Sequence, residues 1–178
     1  AYKSILAEFA IILESKQENK KDSKKGKIWV KGNKYKVDLI GSTAYFDGKT
    51  QWTFMKESNE VNITEPDPND DNSLNPAKIF TIYEKGYKIK YIGERFEKNR
   101  ALYEIVLYPT DLKKEFSSIT LKIDKTKLQI YSMRRVGKDG TDYYIEVISM
   151  DTDNDMPDAT FTFDKTKVPG VEVNDMRE

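Results

Sequence analysis

Apolar and polar residues alternate along most of this chain. Phe9, Ile11 and Leu13 alternate with Ala10, Ile12 and Glu14. The rhythm continues in Ile28 and Val30, in Tyr35, Val37 and Leu39, in Trp52 and Phe54, and in Val61 and Ile63. It resumes after residue 86 with Ile89 and Tyr91, then Tyr103, Ile105 and Leu107, then Ile119, Leu121 and Ile123. Leu128 and Ile130, then Tyr143, Ile145 and Val147, and last Phe161 and Phe163 complete it. Successive side chains of a strand point to opposite faces, so a period of two predicts half-buried strands. Turn chemistry separates them at Lys31-Gly32-Asn33-Lys34, Asp47-Gly48-Lys49, Asp124-Lys125-Thr126-Lys127 and Lys138-Asp139-Gly140. The segment from Asn19 to Lys25 reads as a charged loop joining the first two strands. About ten to twelve strands at this spacing predict a mostly β, mostly antiparallel barrel or sandwich. Since they do not alternate with long helices, a parallel α/β sheet is not expected.

One stretch has a different period. Asn75 suits a helix N-cap, Pro76 its first position and Gly86 its left-handed stop. Ile79, Phe80, Tyr83 and Tyr87 lie three to four apart, giving one apolar stripe. A short amphipathic helix is therefore predicted between two sets of strands. The acidic, proline-bearing run from Glu65 to Asn72 before it reads as an exposed loop.

Composition narrows the function. The chain has 178 residues, a length that fits one domain spanning residues 1–178. Lys plus Arg and Asp plus Glu are 30 each and well mixed, so neither a phosphate backbone nor a polybasic membrane anchor is favoured. There is no Cys and no His. This excludes Ser-His-Asp and Cys-His catalysis and the usual zinc ligand sets. Paired carboxylates cannot be singled out among so many acids. Asp151-Thr152-Asp153-Asn154-Asp155 starts like a calcium loop, but Met156 and Thr162 stand where that loop needs Gly and Glu. A polar loop is the better reading, and no catalytic group, metal or cofactor is assigned. The chain opens at Ala1 without a signal-peptide pattern, which predicts a start after processing or trimming. Aromatics make up 12% of the chain, and Trp29, Tyr45, Trp52, Phe54, Phe80, Tyr83, Tyr87 and Tyr91 cluster in its first half. They form either an ordinary core or a concave apolar surface for a greasy ligand.

Several ordered stretches resemble a known family. They are Gly26-Lys-Ile-Trp-Val-Lys-Gly32, Lys34-Tyr-Lys-Val-Asp-Leu39, Tyr45-Phe-Asp-Gly-Lys-Thr-Gln-Trp52 and Asn59-Glu-Val-Asn-Ile63. Asn75-Pro-Ala-Lys-Ile-Phe80, Tyr83-Glu-Lys-Gly-Tyr87, Phe161-Thr-Phe163 and Val168-Pro-Gly-Val-Glu-Val173 follow. The set resembles the outer-membrane lipoprotein carriers of the LolA type, in the form found in Bacteroidetes-like bacteria. The resemblance implies an unclosed antiparallel β half-barrel with a helical lid, and an N-terminal lid helix of which only Ala1 to about Ile5 remains. It also implies a periplasmic, monomeric carrier without enzymatic activity. Its partners would be acylated lipoproteins, an inner-membrane ABC transporter that releases them and an outer-membrane acceptor. An Arg latch to the lid in better-studied members falls here on Lys36, which lacks the guanidinium fork.

On that reading Val37, Leu39, Trp52, Phe54, Val61 and Ile63 line the sheet, with Ile79, Phe80 and Tyr83 as the lid. Ile89, Tyr91, Ile105, Leu107, Leu121 and Ile130 complete the acyl-chain cavity. Periodicity does not say which face is inside, so the opposite face of each strand stays open. A lipid- or envelope-sensing domain that does not shuttle cargo is the alternative on the same fold.

Overall fold

A computed structural model describes residues 2–67 and 86–177. The predicted helix and the lid residues Ile79, Phe80 and Tyr83 lie outside the described residues.

Among the described residues, twelve strands form one unclosed sheet. They are β1 (Ile5–Ser15), β2 (Lys20–Lys31), β3 (Lys34–Leu39), β4 (Ser42–Phe46), β5 (Gln51–Met55) and β6 (Glu60–Thr64). β7 (Tyr87–Glu97), β8 (Arg100–Pro109), β9 (Phe116–Asp124), β10 (Ile130–Gly137), β11 (Thr141–Thr152) and β12 (Glu172–Asp175) follow. The order is β12-β6-β5-β4-β3-β2-β1-β11-β10-β9-β8-β7, so β12 and β7 are the two edges. The hairpin neighbours pair antiparallel, whereas β12 returns to pair in parallel with β6.

The chain divides into two compact units. The first comprises Ala1–Glu8, Lys25–Lys78 and Ser149–Glu178, and the second Phe9–Lys24 and Ile79–Ile148. In the first unit Ile28, Val30, Tyr35, Val37, Val61 and Phe161 are buried, and in the second Leu102, Leu107, Ile119, Leu121 and Met133.

The hairpin turns stand where their residues placed them. Asp47 Oδ1 accepts from the backbone N–H of Lys49 and Thr50. Asp124 Oδ1 does the same for Thr126 and Lys127. Such carboxylate-to-backbone bonds are what make Asp a turn residue. Gly137 is required for contact reasons, since a Cβ there would lie 2.3 Å from the carbonyl oxygen of Thr141.

Three expectations are corrected. Asn19 to Lys25 is no loop, because β2 begins at Lys20 and only a tight turn precedes it. Its exposed lysines belong to a solvated strand end. Leu128 is not in a strand; it sits at φ 52° in a turn, and β10 starts at Ile130. Phe161 ends a short 3-10 helix, Asp158–Phe161, instead of lying in a strand. The sheet is mostly antiparallel, as expected, with β6–β12 a parallel pair at one edge.

Candidate functional site

Residues directly opposite in an antiparallel pair share a face, so the register assigns every side chain. In the second unit it yields two apolar rows across the strands. One row is Tyr91, Ile105, Leu121, Met133 and Ile145. The other is Ile89, Leu107, Ile119, Arg135 and Tyr143. Beside them, Ile123 pairs with both Tyr103 and Ile130. Thus Ile89, Tyr91, Ile105, Leu107 and Leu121 do come together on one face, and Ile130 extends it. Sequence reading missed Ile119, Met133 and Ile145 as parts of this surface, although each carries the right alternation.

Exposure grades along these rows. Leu107, Leu121, Ile119 and Met133 are buried, at 0 or 1% exposure. On the edge strand β7, Ile89 is 57% and Tyr91 58% exposed. Among the described residues, the apolar face thus runs from a buried interior to an exposed edge strand, whereas natural sheets generally blunt or cover apolar edges.

The reverse face of the same strands is polar. Glu104, Thr120, Lys122, Ser132, Arg134, Asp142 and Tyr144 line a groove of about 380 Å³ together with Ile12, Glu14 and Lys21. Asp142 is 2% exposed and binds Arg134 at 2.7 Å and Lys16 at 3.3 Å. Burial pushes its carboxyl up, but the hydrogen bonds and charges of Arg134 and Lys16 outweigh that and hold it below the usual carboxylate range. Lys122 bonds Glu97, and Arg95 bonds Glu104 at 3.2 Å. The second unit therefore has a mainly apolar face and a reverse face rich in ionic groups.

In the first unit the predicted lining residues separate. Val37 shares a row with Ile28, Ala44, Thr53 and Asn62, and Leu39 shares one with Gly26, Ser42, Met55 and Glu60. Trp52 and Ile63 lie in a row with Trp29, Lys36 and Tyr45 on the other face. Phe54 and Val61 lie beside them, with Lys27, Asp38 and Thr43. The apolar side thus changes across the unit: one face is apolar at β2–β4, the opposite face at β4–β6.

That second face is already partly covered. Phe163 packs on Tyr45 and Phe54, with ring centroids 5.9 and 5.4 Å apart. Asp158 clamps the same segment to Lys34 at 2.8 Å and to Lys31 at 3.3 Å. Lys36 also lies here, its ammonium 4.7 Å from the Trp29 ring centre and 5.3 Å from that of Tyr45. It is therefore a cation stacked between rings, on the opposite face from Val37. Asp38 accepts from Lys56 at 2.7 Å and Thr43 at 2.8 Å; these bonds outweigh burial and lower its pKa. On the Val37 side, Tyr35 donates to Gln51 Oε1 at 2.7 Å, and burial pushes its hydroxyl up to about 12. Asp153 of the calcium-like run accepts from the Lys3 backbone N–H at 2.8 Å, which is ordinary loop chemistry.

A family model described as outer membrane lipoprotein carrier protein LolA matches residues 7–136, well over half of the 178 residues. No curated protein matches the chain. An uncharacterized conserved protein from Thermus thermophilus has a similar structure, with TM-score 0.58 and 11% identity. The match covers 97% of this chain and 91% of that one. A DUF1329 family protein from Desulfovibrio piger follows with TM-score 0.50, 12% identity and coverage of 94% and 92%. A LolA superfamily protein from Nitrosomonas europaea is 14% identical at TM-score 0.47, over 91% of each chain. At such identities the solved structures speak to the fold alone, and membership rests on the family model. The chain belongs to the LolA family of outer membrane lipoprotein carrier proteins.

Proposed function

We propose that this protein is a periplasmic carrier that shields the acyl chains of lipoproteins between the inner and outer membranes. The observation that carries the reading is the apolar face of the second unit, buried at Leu107 and Leu121 and bare at Ile89 and Tyr91. Such a face suits a chain that slides in from the sheet edge. In the first unit we assign the acyl-facing side to Val37 and Leu39, since Phe163 already occupies the side of Tyr45 and Phe54. On this reading an inner-membrane ABC transporter supplies the ligand and an outer-membrane acceptor receives it. The reading needs no covalent step.

Energetics favour a carrier over free diffusion. Each buried methylene is worth about 0.8 kcal/mol, so one palmitoyl-length chain represents roughly 12 kcal/mol against escape into water. Transfer must then run from one apolar surface to another. The test is to incubate the full chain with membranes bearing labelled lipoproteins and to separate the soluble fraction. A soluble one-to-one complex is expected. Lipoproteins that stay wholly in the membrane pellet would reject the shuttling role and leave a non-shuttling binding domain on the same fold.

A further inference from the structure

Arg135 stands out on the apolar face of the second unit. It is the only charged residue in the two central rows, between Ile119 on β9 and Tyr143 on β11. It is 9% exposed, and its Nε has no hydrogen-bond partner. No ion pair or hydrogen bond to its guanidinium is seen among the described residues. Its only partners there are two rings, Phe116 and Tyr143, whose centres are 5.2 and 4.9 Å from its central carbon.

Ring contacts offset only part of the cost of burying a cation without a counter-ion. Buried charges are normally paired, and an unpaired one on a ligand-sized apolar face points to a missing anion. The planar guanidinium matches two oxygens of a carboxylate or phosphate. From Arg135 on β10 the row continues over Ile119 and Leu107 to Ile89 on β7. Three strand spacings make this about 14 Å, a path that suits an extended acyl chain. We propose that Arg135 receives the anionic oxygens of a long-chain amphiphile whose chain lies along this row toward the open edge at Ile89. The site deepens the acyl-carrier reading and rests on it: a neutral acylated anchor fills the rows, while an anionic one also neutralises Arg135.

The test is calorimetric titration of the full chain with palmitate, monohexadecyl phosphate and uncharged hexadecanol. Inorganic phosphate and acetate serve as headgroups without chains. The wild type is expected to bind palmitate or hexadecyl phosphate at least roughly tenfold tighter than hexadecanol. Whichever anion is preferred identifies the headgroup. Arg135→Met is expected to erase the preference while keeping hexadecanol affinity. Arg135→Lys, which keeps the charge but not the fork, is expected to retain a reduced preference and carries the test if the Met variant does not fold. Thermal melts establish folding. Equal affinity of the wild type for charged and uncharged chains overturns the anion site and leaves acyl binding standing. An unchanged preference in a folded Arg135→Met also overturns it. Displacement of palmitate by phosphate or acetate alone would make this a small-anion site and reject the amphiphile. Failure of every long chain to bind sinks the carrier reading together with it.

Discussion

Ile89 and Leu107 sit opposite each other in one row, yet they should respond differently to truncation. Replacing either residue by Ala removes the equivalent of three methylenes, worth about 2.4 kcal/mol if fully buried. Leu107 is 0% exposed, so Leu107→Ala loses the whole transfer term plus a cavity term, about 2–5 kcal/mol in all. Ile89 is 57% exposed, so Ile89→Ala costs folding only about 1 kcal/mol. The remaining ~1.4 kcal/mol is available to a ligand, which corresponds to about tenfold in affinity. Urea unfolding followed by circular dichroism gives the stability difference, and titration with an acylated peptide gives the affinity. Leu107→Ala should be the less stable protein and Ile89→Ala the weaker binder. If Ile89→Ala binds acyl peptide like the wild type, the bare edge is not part of the ligand surface. If it loses as much stability as Leu107→Ala, Ile89 belongs to the core and the gradient of exposure has been misread.

Further outcomes follow from other sites. Asp142 has a depressed folded-state pKa, so the unfolded chain takes up the proton first as acid is added. Its contribution is present above the ordinary carboxylate pKa and is lost as pH falls through the lower folded value. Asp142→Asn should flatten the acid limb of a plot of unfolding free energy against pH; an unchanged limb would assign acid lability elsewhere. Phe161 is fully buried, so Phe161→Ala should cost about 3–5 kcal/mol. Hydrogen exchange should rise across residues 157–175 in that variant, and protection equal to the wild type would show that Phe161 does not anchor the segment. Gly137→Ala places a methyl 2.3 Å from the Thr141 carbonyl oxygen, so the β10–β11 hairpin must shift. The chemical shifts of Thr141 and Asp142 should move, and an unchanged spectrum would refute the contact.

Much of the sheet is legible in the chain because its turns are locally encoded. Asp47, Asp124 and Asp139 each bond backbone N–H groups just ahead of them, so the hairpins are fixed by neighbours in sequence. The apolar face of the second unit is legible for a related reason. Its strands carry clean alternation, as in Ile105 and Leu107 or Ile119 and Leu121, and consecutive hairpins keep the parity. In the first unit parity is harder to read. Ala44, Tyr45 and Phe46 offer apolar side chains in sequence, and only the turn lengths settle their faces. The short turn after Leu39 pairs it with Ser42, and the turn after Phe46 pairs it with Gln51. Trp52 therefore falls opposite Tyr45 and away from Val37. The Phe161–Phe163 stretch imitates strand alternation, yet Phe161 closes a 3-10 helix and Phe163 caps the rings of the other face. Arg135 carries no signal at all in the chain. Its isolation is a property of what surrounds it in space.

The central claim is that acyl chains lie on the apolar face of the second unit. A lipopeptide with a photoactivatable diazirine in its acyl chain tests this directly, with cross-linked residues mapped by mass spectrometry. Cross-links are expected at Ile89, Tyr91, Ile105, Leu107 and Leu121, whose side chains share that face. Cross-links concentrated at Glu104, Thr120, Lys122 and Arg134, on the reverse face, would contradict it.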